Sequence, residues 1–157
     1  TSMYIVEMND KNITEAAECY VSSWKSAHSA YFTEEYLENF NVEKTTAILK
    51  KDDDAERITY IAYDKNNVVG FVTIDKNRFE MTHLYVRPDK QRQGIGTKLM
   101  EFAVKQMTSI SRVYATVLSV NQPGLAFFEK YSFEFTGEQR TLKNGLLELK
   151  YVYKKKK

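Results

Sequence analysis

Two glycines, Gly94 and Gly96, stand where a charged loop gives way to a helical pattern. A helix that begins there leaves its first backbone N–H groups without intrahelical partners, and its dipole places about half a positive charge at that end. Because glycine lacks Cβ, an anion can approach the backbone closely. With Lys90, Arg92 and Lys98 nearby, this spacing predicts a site for a phosphate-like group.

The same two glycines also have a purely structural interpretation, in which they ease a tight turn before an ordinary helix. Two common phosphate-binding motifs do not fit. The chain contains no GxxxxGK[ST] sequence, and the third glycine of the dinucleotide-binding GxGxxG motif is absent. On the local sequence alone, both interpretations of Gly94 and Gly96 therefore stay open.

The segments on either side of this turn would have to position it. Residues 79–86 and 112–118 are rich in β-branched and aromatic residues, which predicts strands. A strand, a helix and a strand form a crossover unit, which places the two strands parallel with a right-handed connection. The helix from Gly94 carries an apolar face formed by Ile95, Leu99, Phe102, Ala103 and Met107.

The rest of the chain extends this unit into a larger sheet. Further strands are predicted at residues 3–8, 58–63, 68–75, 133–138 and 146–153, and helices at residues 13–27, 33–40, 42–52 and 123–130. Capping oxygens before the first helix are expected from Asn9 and Asp10. The turn at residues 64–67 suits an antiparallel hairpin. The predicted fold class is α/β, a mixed sheet of about seven strands with helices on both faces, in one domain over residues 1–157.

Composition and charge exclude several classes of function. The 157 residues carry a formal net charge of +2, which is too small to favour nucleic acid. Cys19 is the only cysteine, so an intrachain disulfide is excluded and a reducing compartment is favoured. With two histidines beside it, a metal site is not expected. No apolar run reaches the roughly 20 residues of a membrane span. The sequence therefore predicts a cytoplasmic protein without a membrane or nucleic-acid partner.

Four segments resemble one known family, the last of them more weakly. Gln91-Arg92-Gln93-Gly94-Ile95-Gly96 resembles the Gln/Arg-x-x-Gly-x-Gly/Ala motif of the GNAT superfamily of acetyl-CoA-dependent N-acetyltransferases. HLYVRP at residues 83–88 and NQPGLAFFEKYSFEFTG at residues 121–137 are similar to family segments before and after it. SWKSAHSAYFTEEYL at residues 23–37 resembles the acceptor-side helices of small bacterial members more weakly. The resemblance extends over nearly the whole chain and implies the GNAT fold.

The resemblance also implies where acetyl-CoA would bind. The diphosphate would lie on the amides of residues 92–97, and the pantetheine arm would follow Leu84 and Val86 like an added strand. Val86 or its neighbour would offer an N–H to the thioester carbonyl as an oxyanion site. The side chains of Leu84 and Val86 are explained equally well as core residues. The implied cofactor-binding residues are Leu84, Tyr85, Val86, Gln91, Arg92, Gln93, Gly94, Ile95, Gly96, Thr97, Lys98, Asn121 and Phe128.

Direct acetyl transfer needs a neutral amine, so a carboxylate or a water chain must take the ammonium proton. Glu80 occupies the strand position that matches the general-base glutamate of the histone-acetylating members, counted back from Gln91. An apolar cleft would raise the pKa of Glu80, whereas an exposed glutamate without a role is the alternative. If the strand alternates regularly, His83 points to the other face and is a packed or surface residue before it is a base.

The chain departs from the family where the thiol leaves. Phe128 holds the position of the usual tyrosine, and Ser132 replaces the usual glycine. Three interpretations stay open. Tyr131 supplies the hydroxyl, the thiol of pKa about 8.5 leaves as thiolate unaided, or the chain binds acyl-CoA without efficient catalysis. We favour the unaided thiolate or water. The proposed catalytic set is Glu80, Val86 and Tyr131. Asn121 either bonds the pantetheine arm or the local backbone, or only caps the helix.

The acceptor is the least defined part of the sequence. His28 and Tyr31 lie in the region that resembles the acceptor side, although surface contacts explain them equally. Acidic residues there suit a cationic amine or a basic peptide, or form a solvated helix face: Glu34, Glu35, Glu38, Glu43, Asp52, Asp53 and Asp54.

Two functions of different class follow from these residues. The first is an N-acetyltransferase for a small-molecule amine, with a protein or peptide amine as a variant. The second is a non-catalytic acyl-CoA-binding or sensing module, which Phe128 suggests. A homodimer is compatible with the sequence, which defines neither the acceptor amine nor the oligomeric state.

Overall fold

A computed structural model describes residues 3–53, 56–107, 111–143 and 145–155. Its strands are β1 (Met3–Glu7), β2 (Arg57–Asp64), β3 (Asn67–Asp75), β4 (Glu80–Val86), β5 (Arg112–Leu118), β6 (Glu134–Thr141) and β7 (Leu147–Lys154). Its α-helices are α1 (Ile13–His28), α2 (Glu34–Asn39), α3 (Val42–Asp52), α4 (Ile95–Gln106) and α5 (Gln122–Lys130). The described residues thus contain the predicted elements, with ends shifted by a few residues at most.

All seven strands belong to one sheet in the order β1-β2-β3-β4-β5-β7-β6. The first four strands form an antiparallel meander. Strands β4 and β5 are parallel neighbours joined through α4, which confirms the predicted crossover unit. Strand β7 lies between β5 and β6 and is antiparallel to both. The predicted α/β fold with a mixed sheet is therefore confirmed.

Two apolar cores lie on opposite faces of the sheet. Val72 of β3 belongs to the core shared with Leu99 of α4. The residue before it, Phe71, belongs to the core shared with Ala17 of α1 and Leu49 of α3. Successive strand residues point to opposite faces. Helices α1 and α3 therefore cover one face and α4 the other, as predicted.

Polar side chains cap the first turns of α2 and α3. Thr33 caps α2 by accepting a bond from Tyr36 N–H at 3.2 Å, and Asn41 caps α3 by accepting from Lys44 N–H at 2.9 Å. The N-cap of α1 is Asn12, which makes no side-chain cap bond. The oxygen expected from Asn9 acts in the turn just before the helix, where its Oδ1 accepts from Lys11 N–H at 2.8 Å and from Asn12 N–H at 3.2 Å.

No helix in the part of the chain that the structure describes is long and apolar enough to cross a membrane.

Strand β6 extends to Thr141, beyond its predicted end at residue 138. Pairing with β7 explains the extension, because Arg140 lies opposite Glu148 and its Nη2 donates to Glu148 Oε1 at 2.7 Å.

Candidate active site

Strands β4 and β5 separate after a short paired stretch, and the opening between them is the central feature of the site. Both strands are described along their full length, yet they pair only at Glu80 with Tyr114 and at Met81 with Ala115. Tyr114 N–H also donates to Phe79 O at 2.8 Å. Beyond Met81, the rest of β4 has no ladder partner in β5, so no strand bonds its main chain on that side.

A bulge in β4 precedes the opening. Thr73 of β3 lies opposite His83, and Ile74 lies opposite Met81, so Thr82 has no residue of β3 directly opposite it. An extra residue of this kind bends a strand and increases its twist. The bulge therefore accounts for the way β4 turns from β5 at this point.

The main chain of β4 alternates between β3 and the opening. Arg87 N–H donates to Val69 O of β3 at 2.9 Å. In an antiparallel pair, every second residue directs its N–H and C=O to the same neighbour. Tyr85 therefore bonds toward β3, whereas Leu84 and Val86 direct their N–H groups into the opening. The implied oxyanion donor at Val86 thus has an N–H on the required side of the strand.

The carbonyl of Val86 also faces away from β3. It accepts a bond from Gln91 Nε2 at 3.2 Å and from Ser23 Oγ of α1 at 3.1 Å. These two bonds tie the end of β4 to the loop before α4 and to α1. Gln91, which the motif implicates in cofactor binding, therefore has an observed role in holding the end of β4 through its side chain.

Helix α4 begins without a side-chain cap. Gly94 is its N-cap at φ 81°, and Arg92 also has a positive φ of 65°. The first intrahelical bond runs from Lys98 N–H to Gly94 O at 3.1 Å. A Cβ added at Gly94 would meet no atom of the described chain within 4 Å, so open space lies beside this turn. The geometry is that of an anion-binding concavity lined with backbone N–H groups.

The other motif residues of α4 divide between surface and core. Gln93 and Lys98 are exposed, whereas Ile95 is buried in the apolar core. A Cβ at Gly96 would lie 3.4 Å from Phe127 of α5 and 3.6 Å from Val86. The glycine therefore allows α4 to begin close to both the end of β4 and α5.

Helix α5 brings aromatic rings to the same region. Phe128 is 7% exposed, with its ring 5.4 Å from that of Phe127 and 5.1 Å from that of Phe133. The Tyr131 hydroxyl accepts a bond from Thr97 Oγ1 at 2.7 Å, which joins the end of α5 to the first turn of α4. The Tyr131 hydroxyl, which the sequence offers as an alternative acid, therefore lies beside the start of α4.

Asn121 caps α5. Its Oδ1 accepts a bond from Gly124 N–H at 3.0 Å. A Cβ at Gly124 would come within 2.6 Å of Asn121 Nδ2, so a larger residue there would require the Asn121 side chain to shift. The capping role that the sequence left open is therefore present, and it uses the amide oxygen.

Glu80 lies on the opposite face from α4, in a buried position. It is 7% exposed, and its Oε2 accepts a bond from Thr116 Oγ1 of β5 at 3.3 Å. Burial raises the pKa of Glu80, while the Lys150 charge, the Thr116 bond and Arg78 oppose the rise. A carboxyl group with a raised pKa is suited to accepting a proton near neutral pH.

His83 shares the face of Glu80, so the expectation that it points to the other face is wrong. Asp75 lies opposite Glu80 and Thr73 lies opposite His83, and Thr73 and Asp75 are two residues apart on one face of β3. The bulge adds a residue to β4 and reverses the alternation that the sequence predicted. Burial, and then the charge of Arg57, lower the pKa of His83 to about 4, so the ring is neutral at pH 7.

An aromatic layer joins this face to the helical region. The ring of Tyr20 in α1 lies 4.9 Å from His83, 5.2 Å from Tyr85 and 5.5 Å from Phe40. Trp24 continues the layer at 4.6 Å from Phe40. Tyr20 and Trp24 both lie on α1. Their spacing of four residues was the available signal that they share one face.

The acceptor-side residues named from the sequence do not form one cluster. His28 is 1% exposed, and its Nδ1 lies 3.1 Å from Trp24 O, whereas Tyr31 is 50% exposed. Asp52 pairs with Arg57 at 3.6 Å. Glu34, Glu38 and Glu43 are exposed, as is Glu35, which lines a shallow pocket with Thr33, Tyr36, Asn39 and Phe40.

Two findings complete the description of this side. Asp54 lies outside the described residues. Among the described residues, no three His, Cys, Asp or Glu side chains form a group that could hold a metal ion. The chemistry that this region could support therefore has to be argued from Glu80, the open main chain of β4 and the start of α4.

Among the curated proteins that this chain resembles, two are of low identity. UPF0157 protein YqkA of Bacillus subtilis is 26% identical over 110 residues, which cover 68% of this chain but 32% of that protein. The chain therefore spans about a third of that relative's length. A spermidine N(1)-acetyltransferase of Thermoplasma acidophilum is 24% identical over 160 aligned positions, covering 96% of this chain and 98% of that protein.

Solved structures share the fold over nearly the whole chain. The PaiA N-acetyltransferase of Thermoplasma acidophilum, solved in complex with coenzyme A, has a TM-score of 0.77 at 21% identity and covers 98% of this chain and 100% of its own. The apo form of YjaB from Escherichia coli has a TM-score of 0.80 at 19% identity, covering 99% and 100%. The model of the acetyltransferase (GNAT) family matches residues 14–133, which is more than half of the chain. The chain therefore belongs to the GNAT family of acetyltransferases.

Proposed function

We propose that residues 1–157 form a single domain that transfers acetyl from acetyl-CoA to a primary amine of a small molecule by direct attack. The opening between β4 and β5 carries this proposal, because it presents free main-chain groups beside a helix start with open space around Gly94. A diphosphate and an amide-containing arm are complementary to these two features. The coenzyme A complex of the related PaiA protein supports the same choice of donor.

The residues that would hold the donor are those of the loop and of β4. The amides of residues 92–97 would bind the diphosphate, with Arg92 and Lys98 adding positive charge at the surface. The main chain of Leu84 and Val86 would bond the pantetheine arm. The N–H of Val86 is the proposed donor to the thioester oxygen, where negative charge develops during attack. Acetyl-CoA supplies the activated acetyl group, and the chain supplies position and charge.

Glu80 is the proposed general base. An amine attacks only in its neutral form, so its ammonium proton must be removed at the site. The raised pKa of the buried Glu80 carboxyl favours proton acceptance, and its charged form acts at pH values above that pKa. Burial lowers the pKa of the His83 ring to about 4, whereas it raises that of Glu80, so His83 is the weaker base. Glu80 is therefore the better candidate of the two.

The sulfur is proposed to leave as the thiolate without a side-chain acid. Phe128 has no proton to donate, and the Tyr131 hydroxyl is engaged with Thr97. A thiol of pKa about 8.5 is a tolerable leaving group at neutral pH. The same observation favours a second candidate function, in which the chain binds acyl-CoA without efficient transfer. Tyr131 stays the alternative acid, because its hydroxyl accepts the bond from Thr97 Oγ1 and keeps its own proton.

A cationic small amine is the proposed acceptor. Glu34, Glu35 and Glu38 place negative charge on α2, which attracts amines carrying an ammonium group. The aromatic layer between Tyr20 and Phe40 connects α2 to the face of β4. The activity of the Thermoplasma relative on spermidine supports a polyamine as the first compound to test.

Turnover distinguishes the two functions. We would measure acetyl-CoA binding by calorimetry and CoA release by a thiol reagent, with a panel of mono-, di- and polyamines. Amine-dependent release above the hydrolysis background is the expected result. Binding without release by any amine would leave only the acyl-CoA-binding function, and absence of binding at millimolar acetyl-CoA would exclude both.

Two variants test the assigned chemistry. Glu80→Gln should lower kcat by about 10²–10⁴-fold, the usual contribution of a general base, whereas the remote Glu7→Gln should leave the rate unchanged. An unaltered rate in Glu80→Gln would remove Glu80 from the mechanism.

Phe128→Tyr should raise kcat only if protonation of the leaving sulfur limits the rate, so an unchanged kcat would support departure as thiolate.

A further inference from the structure

The Glu80 carboxylate accepts a bond from a side chain of β5, and the charge of a lysine on β7 acts on it. Thr116 of β5 donates its hydroxyl to Glu80 Oε2 at 3.3 Å, and Lys150 of β7 lies directly opposite Thr116. Tyr114 lies opposite Glu80 in the β4–β5 pair. The ammonium of Lys150 lies 4.5 Å above the Tyr114 ring. A neutral donor and a positive charge therefore flank the same carboxylate from one side of the sheet.

Lys150 is itself fixed in this position. Its Nζ lies 3.6 Å from Glu138 Oε2 of β6, and the Tyr114 ring lies beneath it. The Lys150 side chain is 32% exposed, whereas that of Glu138 is 72% exposed. A partly desolvated ammonium acts on a nearby carboxylate more strongly than one in bulk water. The contact with Tyr114 and Glu138 therefore keeps the charge near Glu80 rather than in solvent.

We propose that Thr116 and Lys150 are positioning residues that hold the Glu80 side chain in place and in its charged form for proton transfer. The inference rests on the proposed function, because it assigns these residues to the base of that reaction. Neither residue belongs to the motifs that resemble the family, and nothing in their sequence context distinguishes them.

The chemical need for such residues follows from burial. A carboxyl group that is 7% exposed loses most of its hydration, which favours the protonated form. A protonated Glu80 cannot accept the ammonium proton. The Lys150 charge and the Thr116 hydroxyl both favour the carboxylate and limit the rise of its pKa. Together, Lys150 and Thr116 favour a Glu80 carboxyl that is deprotonated before the reaction and can still accept the ammonium proton.

Other groups on this face are accounted for. Asp75 of β3, opposite Glu80, is paired with Arg57 at 3.3 Å, and His83 of β4 is neutral at pH 7 because its pKa is about 4. Arg78 favours the Glu80 carboxylate and Glu148 opposes it. The titratable and charged groups that face Glu80 are Asp75, Arg78, His83, Tyr114, Glu138, Glu148 and Lys150.

The test compares pH profiles of kcat/KM for amine acetylation in the full chain. Lys150→Met and Thr116→Val should raise the pKa of the base. Their rates should therefore fall severalfold at the acid end and return to the wild-type level at the alkaline end. Lys150→Arg keeps the charge and should restore the wild-type profile. A carbon-13 NMR titration of the Glu80 carboxyl, assigned by comparison with Glu80→Gln, should show the same displacement without any turnover.

Two controls separate this role from a structural one. Lys154→Met removes a lysine from the exposed end of the same strand, and Thr46→Val removes a hydroxyl that bonds Val42 O within α3. Both should keep the wild-type profile. If wild type turns over amines but the Lys150→Met and Thr116→Val rates fall equally at every pH, the inference is overturned and the proposed function stands. If wild type turns over no amine, the proposed function itself fails.

Discussion

Helices α4 and α5 each follow one strand of the parallel β4–β5 pair, but their first turns differ. In α5, Gln122 N–H donates to Val120 O at 3.0 Å, Pro123 has no N–H, and Gly124 N–H donates to Asn121 Oδ1 at 3.0 Å. In α4, the first intrahelical bond begins at Lys98 N–H, and no described side chain caps the start. The first turn of α5 is therefore capped by its own chain, whereas the first turn of α4 has no side-chain cap. We call the first start closed and the second open.

This difference shows which of the two helix N-termini is available to bind a ligand. Orphan amides are normally satisfied by a cap, by water or by a ligand, and a protein that caps α2, α3 and α5 has the residues to do so. At α4 the N-cap is Gly94, which has no side chain and a φ of 81°. The open start lies beside the unpaired main chain of β4, where the donor is proposed to bind.

The largest expected effect comes from placing a charge at the open start. Gly94→Asp should weaken coenzyme A binding by about 100-fold, since a carboxylate beside a diphosphate costs several kcal/mol at short range. Gly94→Asn is the matched control, because asparagine has the same shape, tolerates positive φ and carries no charge. Calorimetric titration of both variants with coenzyme A measures the difference. Equal affinities would show that the diphosphate binds elsewhere.

Most of the fold was predictable because it depends on local patterns. The apolar period of α4, the hairpin turn at residues 64–67 and the β-branched strands are local signals, and the parallel pairing of β4 with β5 follows from the crossover. The bulge at Thr82 gave no such signal, because residues 80–86 contain neither glycine nor proline. One extra residue in β4 was therefore enough to make the predicted face of His83 wrong.

The candidate site was predictable only where it consists of backbone. A glycine-started helix and an implied strand position identify main-chain groups, which need no knowledge of distant contacts. The bonds of Glu80 to Thr116 and of Thr97 to Tyr131 join residues 36 and 34 positions apart. Such pairs depend on strand register and helix packing, which the sequence does not display. Side-chain roles at the site therefore required the structure.

The closed start of α5 gives a prediction of intermediate size. Asn121→Ala removes the cap and should lower the free energy of unfolding by about 1 kcal/mol, whereas Asn121→Asp keeps an acceptor and should be as stable as wild type. If the amide nitrogen also bonds the pantetheine arm, which is one of the alternatives that the sequence leaves open, both variants should bind coenzyme A about fivefold more weakly. Urea unfolding and calorimetry measure the two quantities. Wild-type affinity in Asn121→Asp would limit Asn121 to capping.

The smallest effect is expected at the other end of α5, where Ser132 replaces the glycine usual in the family. Phe133 N–H donates to Phe128 O at 2.9 Å and Ser132 N–H to Glu129 O at 3.1 Å, which forms a Schellman motif with Ser132 at φ 70°. A side chain in this conformation is strained, so Ser132→Gly should raise the free energy of unfolding by up to about 1 kcal/mol. Ser132→Ala keeps the strain and should give no gain. Urea unfolding of both variants decides the matter, and equal stabilities would show that the strain is relieved elsewhere.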